Sequence, residues 1–281
     1  MGDADGSLKD RGFLLQREGK LYSYRLRVAG GRLTSGQLRA IADAADRYGR
    51  GEVHITSRQG VEIPHIPEEF APSVERGLSS DVGGGASGQK VRGVVACQGD
   101  RVCRNALIDC QDLAERIDRA HFGEWVPKKF KIAVTGCPAS CLKPQDNDFG
   151  IMGSLRPVVT EECVGCGLCA DACEVGAISI EGMATIDTDR CVLCGSCVEA
   201  CGNGAMAVLE RGYTVFVGGK VGRRPRAATR ILETVDEERA LSLLESSLEY
   251  YRRHGEEGER FGDLLDRKGM DHFTRSVLSR D

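Results

Sequence analysis

Cys163-Val164-Gly165-Cys166-Gly167-Leu168-Cys169-Ala170-Asp171-Ala172-Cys173 returns 28 residues later as Cys191-Val192-Leu193-Cys194-Gly195-Ser196-Cys197-Val198-Glu199-Ala200-Cys201. Gly176-Ala177 repeats in step as Gly204-Ala205. Each unit is a C-x2-C-x2-C-x3-C run. Three thiolates of such a loop converge on one 4Fe-4S cube, while the fourth ligates the cube of the other run. Cys163, Cys166, Cys169 and Cys201 are therefore assigned to one cluster, and Cys191, Cys194, Cys197 and Cys173 to a second. The competing reading, a pair of zinc knuckles, fits poorly, because zinc sites pair two-cysteine elements rather than duplicate runs of four.

This spacing is that of bacterial dicluster ferredoxins, although the proline that usually follows the fourth cysteine is replaced by Glu174 and Gly202. The departure touches loop stiffness and not ligation. Charge marks the same stretch as a separate module. Residues 157–210 hold nine acidic side chains and one base, Arg190, whereas the whole chain of 281 residues has a formal charge of only −4. The remainder is therefore net basic. A chain of this length builds its cores without disulfides, and no stretch approaches the roughly 18 consecutive apolar residues of a membrane span. With no apolar leader in Met1–Gly12, the expectation is a cytoplasmic protein, in a compartment where clustered cysteines hold metal rather than disulfides.

Around the module the pattern alternates strands and helices. Leu38, Ile41, Ala42 and Ala45 recur at helical spacing behind a Thr34-x-x-Gln37 capping box and before Gly49. Val53 and Ile55 alternate with polar neighbours as a strand leading into Thr56-Ser57-Arg58-Gln59. Tyr213–Val217 reads as a strand ending in a Gly218-Gly219 turn, and a final helix is expected from a Thr234-x-x-Glu237 box, with Ala240, Leu244, Leu248 and Tyr251 on one face, to Gly255. Gly83-Gly84-Gly85-Ala86-Ser87-Gly88 has G-x-G-x-x-G spacing but precedes a strand, the reverse of a dinucleotide fingerprint. It reads as a connector or as backbone laid close against a flat cofactor. The fold class is α+β, with the cysteine module interrupting a larger domain.

Four further cysteines stand as two pairs, Cys97 with Cys103 and Cys137 with Cys141. By themselves they fit a third cluster, a zinc site or buried thiols. Cys110, at helical spacing from Leu107, Ala114 and Ile117, reads as a buried thiol. The five histidines form no spaced pair. Two stretches are basic without any acid: 127–143, with Lys128, Lys129, Lys131 and Lys143, and 211–230, with Arg211, Lys220, Arg223, Arg224, Arg226 and Arg230. No aromatic residues interleave them as a single-strand nucleic-acid binder requires, so nucleic acid is not the expected ligand.

The stretch Ala96-Cys97-Gln98-Gly99, then Cys103, then Gly136-Cys137-Pro138-Ala139-Ser140-Cys141 resembles the cluster motif of sirohaem-dependent sulfite and nitrite reductases. Thr56-x-Arg58-Gln59, Lys129-Phe130-Lys131 and Gly218-Gly219-Lys220 with Gly222-Arg223 extend the likeness over nearly the whole chain. With the inserted cysteine module, it looks like the anaerobic sulfite reductase and dissimilatory-type branch. The resemblance implies a ferredoxin-like half-domain over 1–72, a sirohaem and 4Fe-4S domain over 73–156 and 211–281, and the dicluster insert over 157–210. It implies three 4Fe-4S clusters and sirohaem, with Cys97, Cys103, Cys137 and Cys141 holding the third cluster and Cys141 bridging it to the haem iron. Arg58, Arg92, Lys129 and Lys131 would face the substrate, and Lys220, Arg223 and Arg224 the cofactor carboxylates. The implied reaction is reduction of sulfite, or of nitrite, with electrons from a donor protein or subunit; the alternative is an electron-transfer or scaffold subunit without sirohaem. Full reductases of this type contain two such repeats and this chain one, so pairing with itself or with a related subunit is expected.

Overall fold

In the computed structural model, which describes residues 8–78 and 82–278, Phe13 stacks on Tyr24 with ring centroids 4.2 Å apart and opens the first of two cores. Strands β1 (Phe13–Leu15), β2 (Leu21–Arg25), β3 (His54–Ile55) and β4 (Val61–Pro67) form an antiparallel sheet in the order β1-β2-β4-β3. Tyr22, Tyr24 and Leu26 alternate inward onto Ile41, Ile63 and Ile66, so Arg25 and Arg27 are left on the opposite face. Helices α1 (Ser35–Tyr48) and α2 (Ala71–Gly77) cover the sheet. The capping box forms as read: Gln37 N donates to Thr34 Oγ1 at 3.2 Å, and Thr34 N to Gln37 Oε1 at 2.8 Å.

Two details differ from the sequence pattern. The buried face of α1 is Ile41, Ala44 and Ala45, with Leu38 turned out. Val53 lies outside β3 and Ile55 is 65% exposed, because β3 is an edge strand with β4 as its one neighbour and buries neither side chain.

The second core surrounds a five-stranded sheet in the order β11-β10-β7-β6-β5. Strands β5 (Val95–Ala96), β6 (Ile132–Thr135) and β7 (Phe149–Val159) run parallel. Helix α3 (Cys110–His121) is the crossover between β5 and β6. Beyond β7 comes a small unit with helix α4 (Leu168–Asp171), the hairpin β8 (Ile178–Glu181) and β9 (Met183–Ile186), and helix α5 (Ser196–Ala200). The chain then returns as β10 (Met206–Val217), antiparallel to β7 from Met206↔Val159 to Val217↔Phe149, and β11 (Thr229–Val235) follows. The small unit thus hangs from the ends of one long hairpin, with pairing continuing to Val159 and Met206.

Helices α6 (Glu237–His254), α7 (Phe261–Lys268) and α8 (Met270–Leu278) complete this domain. The face Ala240, Leu244, Leu248 and Tyr251 is buried and Gly255 ends α6, as read. Its N-cap is Asp236, however, which accepts from Arg239 N at 2.7 Å. Thr234 cannot serve, because β11 still pairs through Val235 with Tyr213. Two helices follow the one expected to be last. The glycine run is not a free connector: Gly84 bridges Leu26 and Gly85 N donates to Arg25 O at 2.8 Å. A Cβ at Gly84 would lie 1.9 Å from Arg11 O, so strand backbone is what it lies against; residues 79–81 just before it lie outside the described residues.

Candidate functional site: a cationic cavity beside cysteine clusters

The two domains meet at a cavity of about 290 Å³ lined by Arg25, Arg27, Arg58, Arg92, Lys129 and Lys131 and by no acidic residue. Arg25 and Arg27 reach it from the outward face of β2 and its continuation, and both are neutralised, Arg25 by Glu62 at 2.6 Å and Arg27 by Asp118 at 2.7 Å. The other four are not. Arg58 comes from the turn between β3 and β4 and is pinned by neutral acceptors: Asn147 Oδ1 at 2.6 Å, Gly93 O at 3.0 Å and Ile132 O at 3.3 Å. Arg92 donates to the carbonyls of Ala86 and Gly88, so the pinned glycine segment orients a cation.

Lys129 and Lys131 flank Phe130, which is fully buried against Tyr251 and Phe261. Phe130 N donates to Lys90 O and Phe130 O accepts from Arg92 N, so the stretch is extended although β6 begins only at Ile132. Alternation then turns both lysines toward the cavity. Among the described residues neither has an ion-pair partner. Burial, then Arg58, Arg260 and Lys129, push the Lys131 ammonium down to about 8. Burial, then Arg260 and Arg92, lower Lys129. Burial also lowers Arg58 and Arg92, each to about 10, and both stay charged at neutral pH. Four cations held together with no ion-pair partner of their own among the described residues, the nearby Asp148 being paired with Arg260, oppose folding by mutual repulsion and favour any anion that enters.

Cys97 follows β5, and Cys137 and Cys141 follow β6. Gly136 N donates to Cys97 Sγ at 3.1 Å, and Leu107 N to Gly136 O at 2.7 Å. Cys103 is held by its N–H to Gly99 O at 2.9 Å, with Gly99 at a φ of +69° that favours glycine. Burial, then the nearby Cys103, Cys141 and Cys97, push the Cys137 thiol up. Cys110 is fully buried, as expected, with its Sγ 3.5 Å from that of Cys97. Hydrogen bonding from Cys110 holds Cys97 down at about 5, and the same contact together with burial drives Cys110 upward.

This group is tied to the cavity twice. Gln59, next to Arg58, clamps both backbone groups of Ala96, next to Cys97, at 3.0 Å each. Asn147, which holds Arg58, donates to Lys143 O at 3.0 Å, two residues beyond Cys141.

In the small unit, one recess is lined by Cys163, Cys166, Cys169 and Cys201, and another by Cys173, Cys191, Cys194 and Cys197. The structure thus groups the eight thiols as the crossed assignment pairs them. Backbone N–H groups of Ala177, Ala184 and Met206 point at Cys173, Cys163 and Cys201 Sγ within 3.2–3.4 Å. Among the described residues no three His, Cys, Asp or Glu side chains converge as a single-ion site. Four thiols ringed around a recess have the donor set that can hold a multi-iron cube.

Lys220 is buried and ion-paired with Asp263, and Arg223 and Arg224 stand exposed in the link between β10 and β11. None of the three lines the cavity. The residues that composition did not single out are Arg25, Arg27, Asn147 and the buried pair Asp148–Arg260, 2.7 Å apart, whose Asp148 Oδ2 also accepts from Lys131 N at 2.9 Å. Period-two alternation after Tyr22 was a usable signal for the two arginines; Asn147 and Asp148 had none.

Residues 87–281 match the family profile described as nitrite and sulphite reductase 4Fe-4S domain, and residues 14–80 the nitrite/sulfite reductase ferredoxin-like half domain. The chain is 34% identical over 258 residues to an uncharacterized protein of Methanocaldococcus jannaschii, covering 91% of this chain and 90% of that one. It is 37% identical over 279 residues to the coenzyme F420-dependent sulfite reductase of the same organism, covering 95% of this chain and 44% of that protein. It therefore spans less than half the length of that enzyme. Among solved structures, dissimilatory sulfite reductase I shares the fold with a TM-score of 0.77 at 20% identity, over 94% of this chain and 70% of that one.

Proposed function

The chain belongs to the nitrite and sulphite reductase family, and from that premise we propose that it is an oxidoreductase that reduces sulfite, or alternatively nitrite, in the cationic cavity, with sirohaem and three 4Fe-4S clusters as cofactors. The observation that carries this reading is the cavity itself: four uncompensated cations, no acid, and a double tether to a four-cysteine group. An oxyanion and a polycarboxylate macrocycle are the ligands such a donor set suits, with arginine giving bidentate contacts.

The residues fit the groups proposed for them. Two recesses are each lined by four cysteines, and in the third set Gly136, which precedes Cys137, donates to Cys97 Sγ. At about 290 Å³ the cavity matches a small anion with part of a larger cofactor. We assign Cys141, which is exposed, as the cysteine that would hold the third cluster next to sirohaem, and a second copy or a related subunit would complete the pocket. When bound, the clusters would supply one-electron transfer and the sirohaem the centre at which the anion is reduced.

The chain's own residues do the remaining work. Arg58 and Arg92, pinned by carbonyl and amide oxygens, hold the anion in place. Lys129 and Lys131 neutralise charge that builds up as electrons arrive, and Lys131, with its ammonium near neutrality, is suited to pass a proton to oxygen leaving as water. Phe122 and Val28 give the cavity apolar wall.

Anaerobic purification followed by an absorption spectrum and iron analysis tests the proposal. A haem Soret band with a long-wavelength macrocycle band, and about twelve cluster irons per chain, are expected. A broad iron–sulfur shoulder alone would establish the alternative, an electron-transfer subunit.

A further inference from the structure

The two cysteine recesses of the small unit are not equivalent. The second run lies against the main domain. Leu193 is 5% exposed, its carbonyl accepts from Leu155 N at 2.8 Å, and a Cβ on Gly195 would meet Leu155 at 3.1 Å. Leu155 lies two residues beyond Gly153, where an added Cβ would come within 2.3 Å of Gly136 O, beside Cys137. The second recess therefore faces the third cysteine group through β7.

The first run faces outward. Val164 is 72% exposed and Leu168 51%, and the thiol of Cys166 is exposed between them. Acids ring this apolar spot. Glu161 and Glu162 lead into it, with Glu162 O held by Asn203 of the same recess at 3.2 Å. Glu181 adjoins Gly182, whose carbonyl a Cβ on Gly165 would approach to 2.2 Å. All three are exposed. The single base of the module, Arg190, is turned to the other side, where it donates to Val175 O at 2.7 Å beside the second recess.

We infer that the face formed by Val164, Cys166 and Leu168 with Glu161, Glu162 and Glu181 is the docking surface for an electron-donor protein whose redox centre sits in an apolar spot rimmed by lysine or arginine. The inference rests on the cluster reading above. At each encounter the donor is oxidised by one electron and the cluster on Cys163, Cys166, Cys169 and Cys201 is reduced by one, with no bond made or broken and no proton moved. The electron then passes to the second cluster and, across β7, to the third. Charge complementarity sets the encounter rate and the apolar centre the fit.

Ferricytochrome c, a small haem protein with a lysine rim, is the probe, run against dithionite-reduced, desalted holoprotein in stopped flow. Glu162→Lys with Glu181→Lys should slow cytochrome reduction at least about tenfold at low salt, and the difference should shrink as salt screens it. Glu174→Lys with Asp189→Lys makes the same change of net charge beside the second run and should slow it less than about twofold. Val164→Ser, which alters no charge, should slow it at least about twofold at high salt as well. A small neutral quinone should oxidise all variants at one rate. With clusters intact, equal slowing by both charge pairs, or none by the first, overturns the docking face. Wild-type protein with no cube in this unit would overturn the cluster reading and this inference together.

Discussion

Lys129 and Lys131 carry the most specific consequence at the scale of single residues. Neither has an acidic partner among the described residues, and both line the cavity with Arg58 and Arg92. If they neutralise charge during reduction, Lys129→Met and Lys131→Met should each lower turnover at least about tenfold, a loss of roughly 1.4 kcal/mol of transition-state stabilisation, with iron and haem content retained. Lys9→Met, in an exposed position, is the control; haem loss in parallel with rate would instead make the lysines holders of cofactor carboxylates. Their pH dependence has a definite sign. Lys131 is charged below about 8 and neutral above it, so sulfite affinity should fall as pH rises through that value, and Lys131→Met should flatten the profile. Stability runs the other way. The folded value lies below the ordinary 10.5, so the unfolded chain binds the extra proton, and stability rises with pH between about 8 and 10.5. Lys131→Met should therefore stabilise the cofactor-free protein at pH 7 in urea titrations by about 1 kcal/mol, the roughly 3 kcal/mol of the full shift being reduced by the lysine's partial exposure, and the gain should shrink from pH 8 upward and be gone by about pH 10.5.

Among the secondary-structure elements, β7 has the most to lose from a small change. Gly153 lies where a Cβ would press on Gly136 O at 2.3 Å, and Gly136 both precedes Cys137 and donates to Cys97 Sγ. Backbone cannot yield there as a flexible side-chain tip would, so Gly153→Ala should push the Cys137–Cys141 loop away. Iron should fall by about four per chain while eight remain; a full complement would show that the loop absorbs the shift. Helix α1 offers the contrast. Thr34→Ala removes one reciprocal cap bond and should cost about 1 kcal/mol in thermal or urea unfolding, with iron content unchanged, because no residue of the capping box touches the cavity or a cysteine. The helix was legible because capping is local: Thr34 and Gln37 sit three residues apart. Leu38 was misplaced because helical spacing gives a face, and only the sheet beneath decides which edge of that face is covered.

For the whole molecule, the hairpin β7–β10 separates scaffold from insert. Val159 pairs with Met206 and Thr160 N donates to Ala205 O at 2.8 Å, so the two chain ends are already at hairpin distance. Replacing residues 161–204 by Asn-Gly, a two-residue turn suited to closing antiparallel strands, should leave a folded protein that keeps the cationic cavity and about four irons of the expected twelve. Circular dichroism, melting and iron analysis check it, and a chain that aggregates or loses the third cluster as well would mean the insert is structurally integral. Sulfite binding with no reduction by protein donors is the expected functional result.

The cysteine runs, their crossed grouping and the acidic module were readable from sequence alone, because ligand spacing and charge blocks are properties of a short stretch of chain. The capping box of α1 and the buried face of α6 were readable for the same reason. What only the tertiary structure decided was which cations stay uncompensated. Arg25, Arg27 and Lys220 look in the sequence like Arg58, Arg92 and Lys131, yet Glu62, Asp118 and Asp263 neutralise the first three from elements distant in the chain. Arg58 instead meets Asn147 and two carbonyls. Counter-charge is set by what folding brings within a few ångströms, and no local pattern carries that information.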